Sequence, residues 1–149
     1  MGDGIDHINI YSKGETQLGR QLSNFANLAV KTVDGNFASL EGYWYWLSVD
    51  EKHPDRASLR LAAGWEAKSK GREMRGQDWG MGDQGVFRLR IMHAMLGKLV
   101  LHPTLYAQFK ESTLPFRHYY VYGTKVIEPA SGQWIVDTWE FARKMVKGS

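Results

Sequence analysis

A mainly α fold carrying small β-hairpins, in one compact domain over residues 1–149, is the architecture this sequence predicts. Three observations carry it. Apolar residues recur at threes and fours over residues 86–101 and again over 134–147, which is the helical period. Asp34-Gly35 falls between two short β-prone runs, a strong local hairpin signal. No repeat, low-complexity run or Pro/Gly/Ser-rich linker interrupts the chain.

In chain order, Ile5, Ile8 and Ile10 with Asp6, His7 and Asn9 form a partly alternating run and predict a short strand. The hairpin follows over Val30 to Phe37. From Ala38 to Val49 the pattern turns helical, with Ser39 as the cap and Leu40, Tyr43, Trp44 and Leu47 on one face. Pro54 and Asp55 open a second helix through Leu59 to Ala63, which Gly64 ends or interrupts, and the glycine-rich run Gly76 to Gly85 reads as a loop. The helix over 86–101 carries Phe87, Ile91, Met92, Met95, Leu96 and Leu99 as a long apolar stripe, which makes it central. Pro103 starts a further helix through Leu105, Tyr106 and Phe109. Phe116 to Tyr122 is strand-like, Gly123-Thr124 turns the chain, and Val126-Ile127-Glu128 returns. A last helix, Trp134 to Lys147, presents Ile135, Trp139, Ala142 and Met145, with Gly148 past its end.

Composition narrows the function. With 149 residues, 43% hydrophobic and 23% charged, the chain can bury a real core, so intrinsic disorder is not expected. No run approaches the roughly 18 apolar residues of a membrane span. The N-terminus lacks the basic and apolar regions of a secretory signal, so a cytoplasmic location is expected. Zero cysteines remove disulfides, iron–sulfur clusters, thiolate zinc sites and cysteine nucleophiles. His7, His53, His93, His102 and His118 show no metal-binding spacing, and neither a metal nor a cofactor is expected. His118 reads as a structural histidine or an acid–base group. A net charge of +3 is compatible with phosphate-bearing partners without demanding them, while 6 Trp, 7 Tyr and 6 Phe supply rings for a core or for stacking on a base. Gly80 to Gly85 matches the dinucleotide-loop letters but follows no strand, and is set aside.

Gly19, then Leu22-Ser23-Asn24-Phe25-Ala26, then Asp34-Gly35, then Ser39-Leu40-Glu41-Gly42-Tyr43-Trp44-Tyr45 form an ordered series. Ala67-Lys68-Ser69-Lys70-Gly71-Arg72, Arg75 with Asp78-Trp79, the trio Met92, Ala94 and Lys98, and finally Glu128 and Trp134 continue it. Together they resemble the NADAR family, also called the YbiA-like proteins, over nearly the whole chain. Two positions depart from that pattern: Ser48 stands where the family usually has a lysine, and Ser131-Gly132-Gln133 replaces an aspartate before the closing Trp. A divergent branch, of viral type, is the expectation. The resemblance implies a mainly helical fold and an enzyme that breaks N-glycosidic bonds to ribose. Its substrates would be an ADP-ribosylated nucleobase, an NAD-derived metabolite or a phosphoribosyl-aminopyrimidine of riboflavin synthesis.

Cleaving a ribosyl C–N bond develops positive charge on the sugar and needs a carboxylate beside it. Glu41 is the candidate, against the alternative that it only complements the helix dipole. Lys98 is the second candidate catalytic group, binding phosphate or attacking an opened ribose, against simple snorkelling to the surface. Lys68 and Arg72, with Lys70 and Arg75, can hold a diphosphate or form an ordinary solvated face. Asn24 offers a donor and an acceptor, Phe25 or Trp79 a stacking ring, and Ser23, Tyr45 and Glu128 complete the expected substrate-binding set. The competing reading is a non-catalytic module for a nucleotide or single-stranded nucleic acid; no membrane partner is expected.

Overall fold

The computed structural model describes residues 2–75 and 84–148. In chain order these form β1 (Ile8–Asn9), α1 (Gln17–Leu22), β2 (Val30–Thr32), β3 (Gly35–Phe37), α2 (Leu40–Ser48), a 3₁₀ turn (Arg56–Leu61), α3 (Gly64–Arg75), α4 (Gln84–Leu101), α5 (Pro103–Glu111), β4 (Phe116–Arg117), β5 (Tyr120–Tyr122), β6 (Lys125–Ile127), a second 3₁₀ turn (Ala130–Gly132) and α6 (Gln133–Lys147). The mainly helical architecture with small two-stranded sheets is as the sequence predicts. The residues group into two compact units: a terminal unit from Met1–Ser23 and His102–Ser149, and a central unit from Asn24–Leu101. No linker composition marks either junction.

In the central unit β2 and β3 pair antiparallel with Thr32 opposite Gly35, so Val33 and Asp34 form the loop and Gly35 already belongs to β3. Asp34 ties this hairpin to α2, accepting a 2.7 Å hydrogen bond from the Tyr43 hydroxyl. Ser39 caps α2 as expected: its Oγ accepts the Gly42 N–H at 3.0 Å and donates to the Ala62 carbonyl at 2.8 Å. That second bond corrects the expectation of a helix after Pro54. The Arg60 carbonyl takes the Ala38 N–H and the Ala62 carbonyl takes Ser39, so this segment serves its neighbours and remains a 3₁₀ turn.

Gly64 also differs from its sequence reading. It does not end a helix but begins α3, a helix the sequence pattern did not reveal; its φ of +56° turns the chain through the left-handed region that glycine alone enters freely. Helix α4 packs on β2, and Phe87 meets Trp44 of α2 edge to face at 4.8 Å. Leu96, assigned to the buried stripe from periodicity, is 46% exposed. The glycine-rich run lies outside the described residues except for Gln84 and Gly85, which open α4.

The terminal unit joins the two ends of the chain. β1 is only two residues long and pairs parallel with β4, Ile8 opposite Phe116. Asn9 extends that pairing, its side chain donating to the Tyr119 carbonyl and accepting the Tyr119 N–H. These side-chain bonds take the place of a longer strand, and the predicted strand over 116–122 is correspondingly split into β4 and β5. In the core between α5 and α6, Phe109 stacks on Phe116 and meets Trp139 edge to face, while Met145 faces solvent. The short α1, also not foreseen, is capped by Thr16. No helix among the described residues is long and apolar enough to cross a membrane.

Ser39→Ala removes a buried acceptor and a buried donor at once, and should cost about 2 kcal/mol in chemical denaturation. A loss below about 0.5 kcal/mol would show that the cap does not hold α2 to the Ala62 segment.

Candidate functional site

Helix α3 supplies the clearest link between sequence pattern and site. Its buried residues are Ala67 and Gly71, one turn apart, and they form the face that α2 occupies. A Cβ on Gly71 would stand 2.1 Å from Tyr45 Cγ, so the helices approach this closely only because position 71 lacks a side chain. Lys68 and Arg72 each follow one of these small residues, so one helical turn separates them too, along the edge of the α2 contact. The alternation of small and cationic residues in Ala-Lys-x-x-Gly-Arg is thus a packing face with a charged border.

Glu41 lies across from that border in the first turn of α2. It is half-buried, and its backbone N–H donates to the Asn24 carbonyl at 3.0 Å, which fixes Asn24 beside the helix start. Burial raises the Glu41 carboxyl from 4.5 to about 7, against the opposing pull of Lys68 and Arg72. Lys68 is pushed below its ordinary value by burial and by Arg72, with Glu41 pulling the other way. Near neutral pH the group can therefore exchange a proton, with two cations beside it able to hold phosphate oxygens.

Aromatic rings border the same region. Phe25 meets Trp65 edge to face at 5.5 Å, and the Lys68 ammonium stands 4.9 Å from the Trp65 ring centre and 5.6 Å from that of Phe25. Trp65 is 66% exposed and was not among the residues the sequence singled out. Its position just ahead of Ala67-Lys68 was the only available signal, and that signal gains meaning once its exposure is known. Trp79 lies outside the described residues.

The remaining candidates are placed differently. Tyr45 is buried against Gly71, with the Arg75 guanidinium 5.3 Å over its ring, so it seats α3. Ser48 is buried and donates to the Trp44 carbonyl at 2.7 Å. Lys98 in α4 is 0% exposed, neither snorkelling to the surface nor opening onto solvent, and burial lowers its amine to about 7. Ser23 and Glu128 belong to the terminal unit: Ser23 is buried at the end of α1, where ψ of 142° stops the helix, and Glu128 accepts two 3.2 Å bonds from Arg117. The structure thus brings Glu41, Asn24, Phe25, Lys68 and Arg72 together in the central unit. His118 is held through Nδ1 to the Ile10 carbonyl at 2.7 Å, in the terminal unit.

No protein-family model and no curated protein sequence matches the chain. A solved structure does: the NMR structure of the E. coli protein YbiA is similar with a TM-score of 0.69 and 19% identity, covering 94% of this chain and 84% of that one. The likeness establishes a shared fold. YbiA being bacterial, it lends no support to a viral source.

The raised carboxyl has a measurable consequence. An unfolded chain ionises Glu41 near 4.5 and the folded one only near 7, so stability from this residue falls as pH rises between those values and is constant above them. Glu41→Gln should therefore stabilise the protein at pH 8, on the order of 2 kcal/mol, and leave it unchanged below about pH 4.5. Equal stability of the two proteins across that range, by denaturant titration, would mean that the carboxyl is solvated.

Proposed function

We propose that the chain is an N-glycosidase that hydrolyses a ribosyl C–N bond in an ADP-ribosyl or phosphoribosyl substrate. The observation that carries this reading is the half-buried Glu41, lifted to about 7 while flanked by Lys68 and Arg72. In the reaction, the C–N bond breaks with its electron pair on the departing nitrogen as water attacks the anomeric carbon. The Glu41 carboxylate takes the proton from that water and passes it to the nitrogen, so the carboxylate is regenerated. Lys68 and Arg72 hold the phosphate or diphosphate, Asn24 binds the ribose or base edge, and Phe25 with Trp65 receives a planar base. Tyr45 holds these groups in register from beneath. The resemblance of the Ser-Asn-Phe and Ala-Lys-x-x-Gly-Arg segments to NADAR proteins, and the fold shared with YbiA, support the same reading. Ser23, Trp79 and Glu128 are further candidates for substrate contact, and Lys98 remains a candidate for chemistry from a buried position.

A second reading has its own observation. The exposed Trp65, with Phe25 and the cationic Lys68 beside it, is the combination that stacks bases of a nucleotide or single-stranded nucleic acid without any turnover.

Incubation with NAD, with ADP-ribosylated guanine in DNA and with a phosphoribosyl-aminopyrimidine, followed by mass spectrometry for released base, separates the two. Hydrolysis is expected for one of them, and Glu41→Gln should reduce it by at least about a hundredfold. Binding that weakens steeply with salt and yields no product would select the second reading. Since the carboxylate is the active form, kcat/KM should rise with pH to a plateau above about 7. Arg72→Met should move that rise to higher pH by removing a neighbouring positive charge, besides raising KM. Lys98→Met, which keeps the buried volume, should abolish turnover if the amine takes part in chemistry and leave it intact if Lys98 only packs.

A further inference from the structure

The first 3₁₀ turn sends two arginines to the same indole. Arg56 Cζ stands 3.5 Å from the centre of the Trp46 ring, and Arg60 Cζ stands 5.0 Å from that centre and 4.5 Å from the centre of Phe37. Other bonds fasten both residues. Arg56 Nε donates to the Trp46 carbonyl at 2.9 Å, and the Arg60 carbonyl accepts the Ala38 N–H at 2.8 Å. Arg60 Nη1 reaches the β2–β3 hairpin, where a Cβ at position 35 would stand 2.9 Å from it, so glycine there leaves the guanidinium its place. The pair lies on the hairpin side of α2, where Tyr43 and Trp46 pack on Phe37. Tyr45 and Glu41 belong to the α3 side.

Two guanidinium groups against one ring repel each other, and the fold does not neutralise them. Among the described residues neither forms an ion pair, and Arg56 Nε makes the only side-chain hydrogen bond of the two. The acids of the region are engaged elsewhere or stand off. Asp34 accepts from the Tyr43 hydroxyl and pairs with Arg90 at 3.6 Å, and Asp50 accepts the Lys52 N–H. Burial, with Arg60 adding to it, lowers Arg56 below its ordinary value, although Glu51, Asp34 and Asp50 pull the other way from beyond ion-pair distance. Both arginines are partly exposed, so their Nη donors remain unspent and within reach of a ligand.

We propose that Arg56 and Arg60 together bind a phosphate group, at a site separate from Glu41. A guanidinium fork matches two phosphate oxygens at once, and a phosphate dianion supplies the two negative charges this pair lacks. Ring stacking already holds both forks, so little side-chain freedom is lost on binding. The shared chemistry is that of free inorganic phosphate and of the terminal phosphate of a small ester, since the arginines read the same oxygens in each.

Titration of the protein with inorganic phosphate and, separately, with methyl phosphate, followed by NMR of the arginine Nε–H signals, tests this without reference to catalysis. Saturable shifts of the Arg56 and Arg60 signals are expected, and none with potassium chloride at matched ionic strength. Arg56→Lys and Arg60→Lys keep the charge but lose the fork, and each should weaken binding at least about tenfold, read at the arginine that remains. Lys68→Met with Arg72→Met should leave the shifts in place, which separates this site from phosphate held beside Glu41. Response to both anions assigns the site to esterified phosphate as well, and response to inorganic phosphate alone assigns it to the free ion. Signals that do not saturate, that move equally with chloride, or that vanish in the Lys68 and Arg72 double variant overturn the proposal. Undiminished binding by both lysine variants overturns it too, because the arginines would then serve only to pack against Trp46.

Discussion

The contact between the Tyr45 ring and the bare backbone of Gly71 sets the spacing of α2 and α3, and the candidate site follows from it. Each helix contributes half of the electrostatic arrangement, Glu41 from α2 and Lys68 with Arg72 from α3. A separation larger by one methyl group would draw the cations away from the carboxyl and admit water between them. The carboxyl would then lose both the burial that raises it and the charges that limit the rise. Packing and the raised Glu41 carboxyl thus depend on the same pair of residues.

The same region shows why burial and positive charge are combined. Burial alone favours a neutral acid, and cations alone favour a permanently ionised one. Glu41 experiences both and lies between these limits, which is where a group that gives and takes a proton near neutrality has to be. Asn24 contributes through its backbone: the bond from the Glu41 N–H to its carbonyl fixes the start of α2 against the Ser-Asn-Phe segment, so this short motif is part of the helix entrance.

Legibility in the sequence followed the physical signal available to each element. Ser39 with the threes and fours behind it gave α2, and apolar periodicity gave α4 and α6, because their buried residues are large. Helix α3 buries only Ala67 and Gly71, which hydrophobic patterning barely registers, and Gly64 before it has the composition of a stop. Helix α1 is too short to show a period. For the site, Glu41, Lys68 and Arg72 were readable through order and spacing along the chain. Trp65 was not, since tryptophan at a surface and tryptophan in a core are the same letter. Leu96 shows the converse: apolar spacing on α4 describes two faces, and sequence alone does not say which one its own unit covers.

The two units also differ in how far along the chain their partners lie. In the central unit β2 pairs with β3 only a few residues further on, whereas β1 must wait for β4, and Ile8 for Phe116. Closing so long a loop is entropically costly and slow compared with local pairing. On a ribosome, the segment bearing Glu41, Lys68 and Arg72 can settle while the C-terminal helices are still being made. Synthesis thus gives the portion with the candidate site a head start, and the tethering of the two ends is the late event.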